Sequence, residues 1–232
     1  MLPILDERLT CAASFVRRGS RFADIGSDHA YLPIYLCKSG IVNTALASDI
    51  NKGPVAAAVE NIREYGVEGN VTAILSDGLM GAKDFNPDDI AILGMGGELI
   101  ASIIDKADWV KNENVHLILQ PMTHAHTLYK YLLDNGFEII DEKICATSAR
   151  TDRIYRVICA TYSGKARECS DVEAMVGIVN MQNLKNDENS LIKKYIQHLV
   201  DVYSVRVNGK EKSGADARKE KELIFGLSEL IK

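Results

Sequence analysis

The chain has 232 residues, of which 47% are hydrophobic and 25% charged, and its formal net charge is −5. That is ordinary globular composition, enough for one large domain or one domain with a small addition, and it excludes a low-complexity or disordered chain. No apolar run approaches the roughly 18 residues of a membrane span, and the five cysteines (Cys11, Cys37, Cys145, Cys159, Cys169) form neither a Cys-x-x-Cys pair nor a metal-ligand spacing.

The N-terminal "MLPILDERLT" carries acid early and has no signal-peptide core, so a reduced, cytoplasmic protein is expected. Residues 5–17 read as a short amphipathic helix, and "RFADIG" as a first apolar strand. "YLPIYLCKSG" is a helix with Pro33 in its first turn and Gly40 past its end, the expected placement of both residues. "TALASDI" is a second strand and "GPVAAAVENIREYGV" an alanine-rich helix closed by Gly66. "VTAILSDG" and "DIAILGMGG" are the third and fourth strands, the latter followed by the helix "ELIASIIDKA". "VHLILQP" is a fifth strand and "HTLYKYLLDNG" the helix after it. "FEIIDEKICAT" and "RIYRVICATY" show period-two character and read as a closing pair of strands. Strands that alternate with helices and are nearly continuous apolar runs imply a parallel α/β sheet, helices on both faces, with an antiparallel hairpin at one edge.

After Tyr162 the pattern changes. "YSGKARECSD" is a polar connector. From 171 to 205 apolar residues recur at helical spacing (Leu191, Ile192, Tyr195, Ile196, Leu199, Val200, Tyr203), "VNGKEKSGAD" reads as a turn, and the pattern resumes over 216–231. The expected domains are therefore 1–162, an α/β sheet domain, and 163–232, a helical hairpin.

Open α/β sheets bind ligands outside the carboxyl ends of their strands. Here those ends read Asp24-Ile25-Gly26-Ser27-Asp28-His29, Asp49-Ile50-Asn51, Ser76-Asp77-Gly78, Gly94-Met95-Gly96-Gly97 and Gln120-Pro121. Asp49, some 20 residues beyond the first turn, stands where a carboxylate can hold the two hydroxyls of a ribose. A pyrophosphate would need a glycine-rich turn open to a helix N-terminus, whereas Asp28 would repel phosphate. A nucleoside carrying positive charge and no phosphate fits better, and S-adenosylmethionine is such a ligand. Asp77 would meet the adenine amino group, and Asp24 or Asp28 the ammonium.

The segments "ADIGSDHAYLP", "KGPVAAAVENI", "SDGL", "GMGGELI", "LILQPMTHAHTLYKYLLDNGFEIIDE" and "RIYRVI" together resemble the bacterial tRNA (adenine-22-N1)-methyltransferase family known as TrmK, nearly continuously from 5 to 160. The resemblance implies a Rossmann-like class I methyltransferase domain followed by a C-terminal helical coiled-coil domain. It also implies methyl transfer from S-adenosylmethionine to N1 of an adenine in the tRNA D-arm. On that footing the cofactor site is expected at Asp24, Gly26, Ser27, Asp28, His29, Asp49, Ile50, Asn51, Asp77, Gly78, Gly94, Met95 and Gly96. Substrate contacts are expected at Gly97, Gln120, Pro121, Arg18, Lys193 and Lys194, with Asp28 and Tyr31 as the catalytic pair. Two positions depart from the family pattern. Met122 stands where an Asn follows "LILQP", and "SDIN" ends strand two where the family has Glu-Val.

Two arginine clusters, Arg8/Arg17/Arg18/Arg21 and Arg150/Arg153/Arg156, are candidates for phosphate contact, as are Lys185, Lys193, Lys194, Arg206, Lys210 and Lys212 in the tail. Tyr31 can stack on a base or belong to the core. His29 can line the cofactor site or cap the next helix. His124 and His126, two apart, share no helix face, so no metal is expected. Rival readings are a methyltransferase of this fold acting on another RNA or on a small molecule, and a nicotinamide oxidoreductase using "GMGGEL". The latter lacks a glycine at Leu99 and an acid at the end of the next strand. The partner expected is tRNA; no membrane contact is expected, and a monomer is the default state.

Overall fold

The computed structural model describes residues 1–147, 153–184 and 191–232. The chain divides into two compact units, Met1–Arg167 and Glu168–Lys232.

In the first unit the strands are β1 (Arg21–Ile25), β2 (Thr44–Asp49), β3 (Val71–Leu75), β4 (Asp89–Gly96), β5 (His116–Thr123), β6 (Phe137–Ala146) and β7 (Ile154–Tyr162). Its helices are α1 (Glu7–Ala13), α2 (Tyr31–Lys38), α3 (Lys52–Glu64), α4 (Gly97–Asp105) and α5 (Ala125–Asp134). The sheet order is β3-β2-β1-β4-β5-β7-β6. The first five strands pair in parallel, and β7 runs antiparallel to both β5 and β6. The closing hairpin therefore inserts its second strand next to β5 and leaves β6 at the edge. The chain order reverses between β1 and β4, the switch point at which such sheets hold ligands.

Alternation along the strands buries both faces. Phe22, Ala45, Ala47, Ala91, Ile118 and Val157 join one apolar cluster with Ala12 of α1, Leu32 and Leu36 of α2 and Ile62 of α3. The intervening residues, among them Ile25, Leu46, Ile90, Ile92 and Leu119, are equally buried. On that side α4 and α5 pack on β4 and β5 and on each other. This is why the strands read as unbroken apolar runs rather than alternating ones.

Two ion pairs built on buried carboxylates staple the sheet unit. Arg17 reaches from the end of the first helical segment to Asp89, with Nε donating to Oδ1 at 2.7 Å and the backbone N–H to Oδ2 at 2.7 Å. Arg156 donates to Glu142 at 2.7–2.8 Å across the β6–β7 hairpin and lies 4.5 Å over the Tyr129 ring. Both members of that second pair are 2% exposed or less. Arg156 is buried and Arg17, half-exposed, spends Nε and Nη2 on Asp89 and two carbonyls, so both hold the fold, which corrects the expectation from the charge clusters. Arg21 likewise donates to the Phe85 carbonyl and covers the Phe85 ring. Arg18 and Arg153 are exposed. Arg150 and Lys185 lie outside the described residues.

The second unit holds α6 (Asp171–Val176), α7 (Ile178–Asn183), α8 (Leu191–Lys212) and α9 (Arg218–Glu229). The packed α8–α9 pair answers to the expected hairpin, but α8 runs through the "VNGK" that reads in sequence as a turn. Gly209 is an internal helical residue, and the break falls at Gly214 with φ +73. A solvent-facing glycine costs a helix only about 1 kcal/mol, less than the packing on either side returns. The stretch before α8 is no single helix. Gly177, with φ +96, separates α6 from α7. Met175, Val176, Ile196, Tyr203, Leu223 and Leu227 form this unit's own core.

Candidate functional site

The carboxyl ends of β1 to β4 border a cavity of about 490 Å³, within the usual range for a small-ligand site. Gly26, Asp49, Ile50, Asp77, Gly78 and Met95, all expected at the site, line it. Leu79, Met80, Leu99 and Trp109 complete an apolar wall, with Lys83 and Lys106 also on the lining. Strand-end reasoning does not reach these: Met80 belongs to a one-turn helix after β3, Leu99 to α4, and Trp109 to a second short turn after α4. Their apolar character beside a polar strand edge is the only signal the sequence carries.

The turns are shaped by backbone requirements. Gly26, Gly78 and Gly94 have φ of +79, +53 and +78, a region only glycine enters freely. The N–H groups of Gly26 and Ser27 both donate to the Ser48 carbonyl, at 2.7 and 2.9 Å, extending the β1–β2 ladder one step past the strand. A Cβ on Gly26 would stand 2.2 Å from Met95 Cε, so the bare turn lets Met95 lie across it. Ala30 and His124, at the starts of α2 and α5, have φ of 56 and 51. Backbone strain of this kind gathers at functional edges.

Asp49 Oδ1 accepts the Asn51 N–H at 2.7 Å, which sets the carboxylate against the start of α3. Asp24, at 7% exposure, is buried in β1 and is not among the residues that line the cavity. Burial pushes its carboxyl up to about 6, with neighbouring Ser27 and the Arg8 guanidinium pulling it back. Ser27 is also buried. Asp28, His29 and Tyr31 are exposed side chains on one loop. His29 Nε2 is 3.2 Å from Asp28 Oδ2, and the His29 and Tyr31 rings stack at 5.4 Å and 25°. Asn61 Nδ2 donates to the His29 carbonyl at 2.9 Å and anchors that loop to α3. His29 thus neither lines the cavity nor caps α2, whose N-cap is Ala30.

Three expected substrate contacts prove to be interior. Gln120 is fully buried. Its Oε1 accepts from Arg8 Nη1 at 3.2 Å and the Gly94 N–H at 3.1 Å, and its Nε2 donates to the Pro121 carbonyl at 3.0 Å. Pro121 and Gly97 are buried as well. A Cβ on Gly97 would stand 2.3 Å from the His124 carbonyl oxygen, so this glycine permits close packing of α4 on the β5–α5 turn. The Gln120 amide, with its bonds spent inward, is not free to meet a substrate. Gly94, Met95, Gly96 and Met122 are accessible on this edge. Arg8, from α1, is one of four arginines near the N-terminus that sequence does not tell apart, and the fold brings it to Gln120 and the Gly94 turn.

Lys193 and Lys194 belong to α8 in the second unit, where Lys194 is exposed. Lys210 is tied to Glu220 at 2.5 Å across α8 and α9, and Arg206 lies over the Tyr203 ring. Among the described residues no group of His, Cys, Asp and Glu is placed to hold a metal, and no helix is long and apolar enough to cross a membrane.

A family model described as a methyltransferase domain matches residues 5–158. The tRNA (adenine(22)-N(1))-methyltransferase of Bacillus subtilis (strain 168) is 29% identical over 218 residues, 94% of this chain and 90% of that protein. The crystal structure of B. subtilis M1A22 tRNA methyltransferase TrmK superposes with a TM-score of 0.80 at 27% identity, covering 99% of both chains. M. capricolum TrmK in complex with the natural cofactor product S-adenosyl-homocysteine also gives 0.80, at 25% identity over 99% of this chain and 98% of that one.

Proposed function

Because the chain belongs to the methyltransferase-domain family, we propose that it transfers a methyl group from S-adenosylmethionine to N1 of an adenine in the D-arm of tRNA, in the cytoplasm. The observation that carries this reading is the pair of carboxylates Asp49 and Asp77 on one largely apolar cavity whose glycine turn lacks a phosphate cradle. Asp49 suits the ribose hydroxyls, Asp77 the adenine amino group, and Ile50, Leu79 and Leu99 the faces of the base. A dinucleotide would find no Gly-x-Gly-x-x-Gly turn after β1. The near full-length likeness to M1A22 methyltransferases supports the same choice and favours tRNA over a small molecule.

Bound S-adenosylmethionine would supply an electrophilic methyl carbon, to which adenine N1 donates its lone pair as the carbon–sulfur bond breaks. The chain needs no strong base for this step, since N1 attacks with a lone pair it already has. The positive charge passes to the base, and Asp28, an exposed carboxylate on the loop after β1, is the group we assign to stabilise it. The stacked His29–Tyr31 rings offer a flat platform for an unstacked adenine. The bare Gly94-Met95-Gly96 backbone lets the base approach the cavity. Extruding the base costs a few kcal/mol, and positioning in near-attack geometry can return about 7–11 kcal/mol. Docking of tRNA on the second unit uses Lys193 and Lys194.

The test is transfer of labelled methyl to unmodified tRNA, followed by nuclease digestion. N1-methyladenosine is expected, and it disappears when the target adenine is replaced. Methylation of the replaced tRNA, or another methylated nucleoside, would refute the assignment.

A further inference from the structure

The Gly94-Met95-Gly96 stretch, over which the adenine approaches the cavity in the function proposed above, is not regular strand. Along β4, Leu93 pairs with Gln120 of β5 and Met95 with Pro121, so Gly94 stands between them as the extra residue of a β-bulge. Its φ of +78 suits glycine. A bulge re-aims the strand and leaves a backbone group outside the ladder, and that group needs another partner. Here the Gly94 N–H donates to Gln120 Oε1 at 3.1 Å. Met95, the next residue, lines the cavity and lies across the Gly26 turn. A shift of the bulge would therefore move both the cavity wall and the surface the base crosses.

Arg8 comes from α1, outside the sheet, and braces this bulge. Its Nη1 donates to the same Gln120 Oε1 at 3.2 Å and stands 3.1 Å from where a Cβ on Gly94 would be. The guanidinium thus acts through the amide and also lies against the open face of the glycine. Gln120 Nε2 donates to the Pro121 carbonyl at 3.0 Å. Turned over, the amide would set its own donors against those of Arg8 and Gly94, so these bonds fix its orientation. Of the three, the bond from Arg8 is charge-assisted and the strongest in kind. Anchoring α1 does not require Arg8. Asp6 caps the helix through the Leu9 N–H at 2.7 Å, Leu9 and Ala12 pack into the core, and Arg17 beyond the helix holds Asp89. The ion pair between Arg8 and Asp6 is long, 3.7 Å.

We propose that Arg8 is a positioning residue for methyl transfer: through Gln120 it fixes the Gly94 bulge against which the target adenine is presented. This deepens the function proposed above and rests on it. In this role Arg8 need touch neither cofactor nor base, because a misplacement of about 1 Å at the reacting groups can cost on the order of 100-fold in rate.

Arg8→Met keeps the aliphatic stem and removes the donor. With unmodified tRNA its kcat is expected to fall about 10- to 100-fold, while KM for tRNA and the dissociation constant for S-adenosylhomocysteine stay within about twofold and the urea midpoint stays at the parent's. Arg8→Lys, which restores a donor for Oε1 without the fork, should regain part of kcat. Hydrogen exchange at the Gly94 amide, followed by NMR on the full chain without substrate, should be faster in Arg8→Met than in the parent and intermediate in Arg8→Lys. An unchanged kcat overturns the assignment. So does a rise in KM for tRNA alone, the mark of a phosphate contact, or a loss of cofactor affinity or stability that accounts for the fall in kcat, or an Arg8→Lys variant no better than Arg8→Met. A parent that transfers no methyl to tRNA overturns the function proposed above, whereas an active parent whose Gly94 exchange is unmoved by Arg8→Met overturns the Arg8 assignment alone.

Discussion

Asp24→Asn should make the sheet unit more stable, with a pH dependence that identifies the cause. The Asp24 carboxyl is raised from 3.8 to about 6, chiefly by burial. A raised carboxyl stabilises the fold when protonated: that contribution is complete below pH 3.8 and is lost as pH rises through about 6. The difference corresponds to about 3 kcal/mol, so above neutrality the fold carries a buried charge at about that cost. Asparagine has the same shape and is neutral throughout. The variant should therefore exceed the parent by up to about 3 kcal/mol at about pH 8, and the gap should close as pH falls toward about 4. Urea unfolding followed by fluorescence of Trp109, the single tryptophan and a cavity residue, reports this unit. A stability gap that does not change with pH, or an Asn variant less stable than the parent above neutrality, would refute the reasoning.

Asp49→Ala should raise the dissociation constant for S-adenosylhomocysteine by about 10- to 100-fold, the worth of one charged hydrogen bond to a ribose hydroxyl; titration calorimetry reads it, and an unchanged constant would move the ribose elsewhere. Glu142→Ala leaves Arg156 charged in the core and should cost about 3–5 kcal/mol of unfolding free energy, measured by denaturant midpoint, with a cost under about 1 kcal/mol counting against a structural role for the pair. Reversing charge at Lys193 and Lys194 together should weaken tRNA binding and flatten its salt dependence, by about one unit of slope for each phosphate that is no longer neutralised. Affinity and slope equal to the parent's at two salt concentrations would remove both lysines from the docking face, whereas cofactor affinity is expected to stay unchanged in either case.

Much of the sheet was legible because both of its faces are buried. Unbroken runs such as "AILG" and "LILQ" can satisfy their backbone only in a covered sheet, and glycines at 26, 78 and 94 mark where the chain must turn with positive φ. The strand-end rule is enough to bring Gly26, Asp49, Ile50, Asp77, Gly78 and Met95 to one cavity, since in a parallel sheet every strand ends on the same side. What sequence could not show is which polar groups spend their bonds inward. Gln120 and Pro121 stand at a strand end like the others, but β5 is central, and the Gln120 amide is consumed by Arg8, Gly94 and Pro121. Arg156 reads as a surface cation until β7 inserts between β5 and β6 and buries it against Glu142. Arg8, 112 residues from Gln120 along the chain, meets it only in the folded molecule. Periodicity and turn chemistry are local and survive in the sequence; pairing between distant polar groups depends on which strands become neighbours, and the tertiary structure alone decides that.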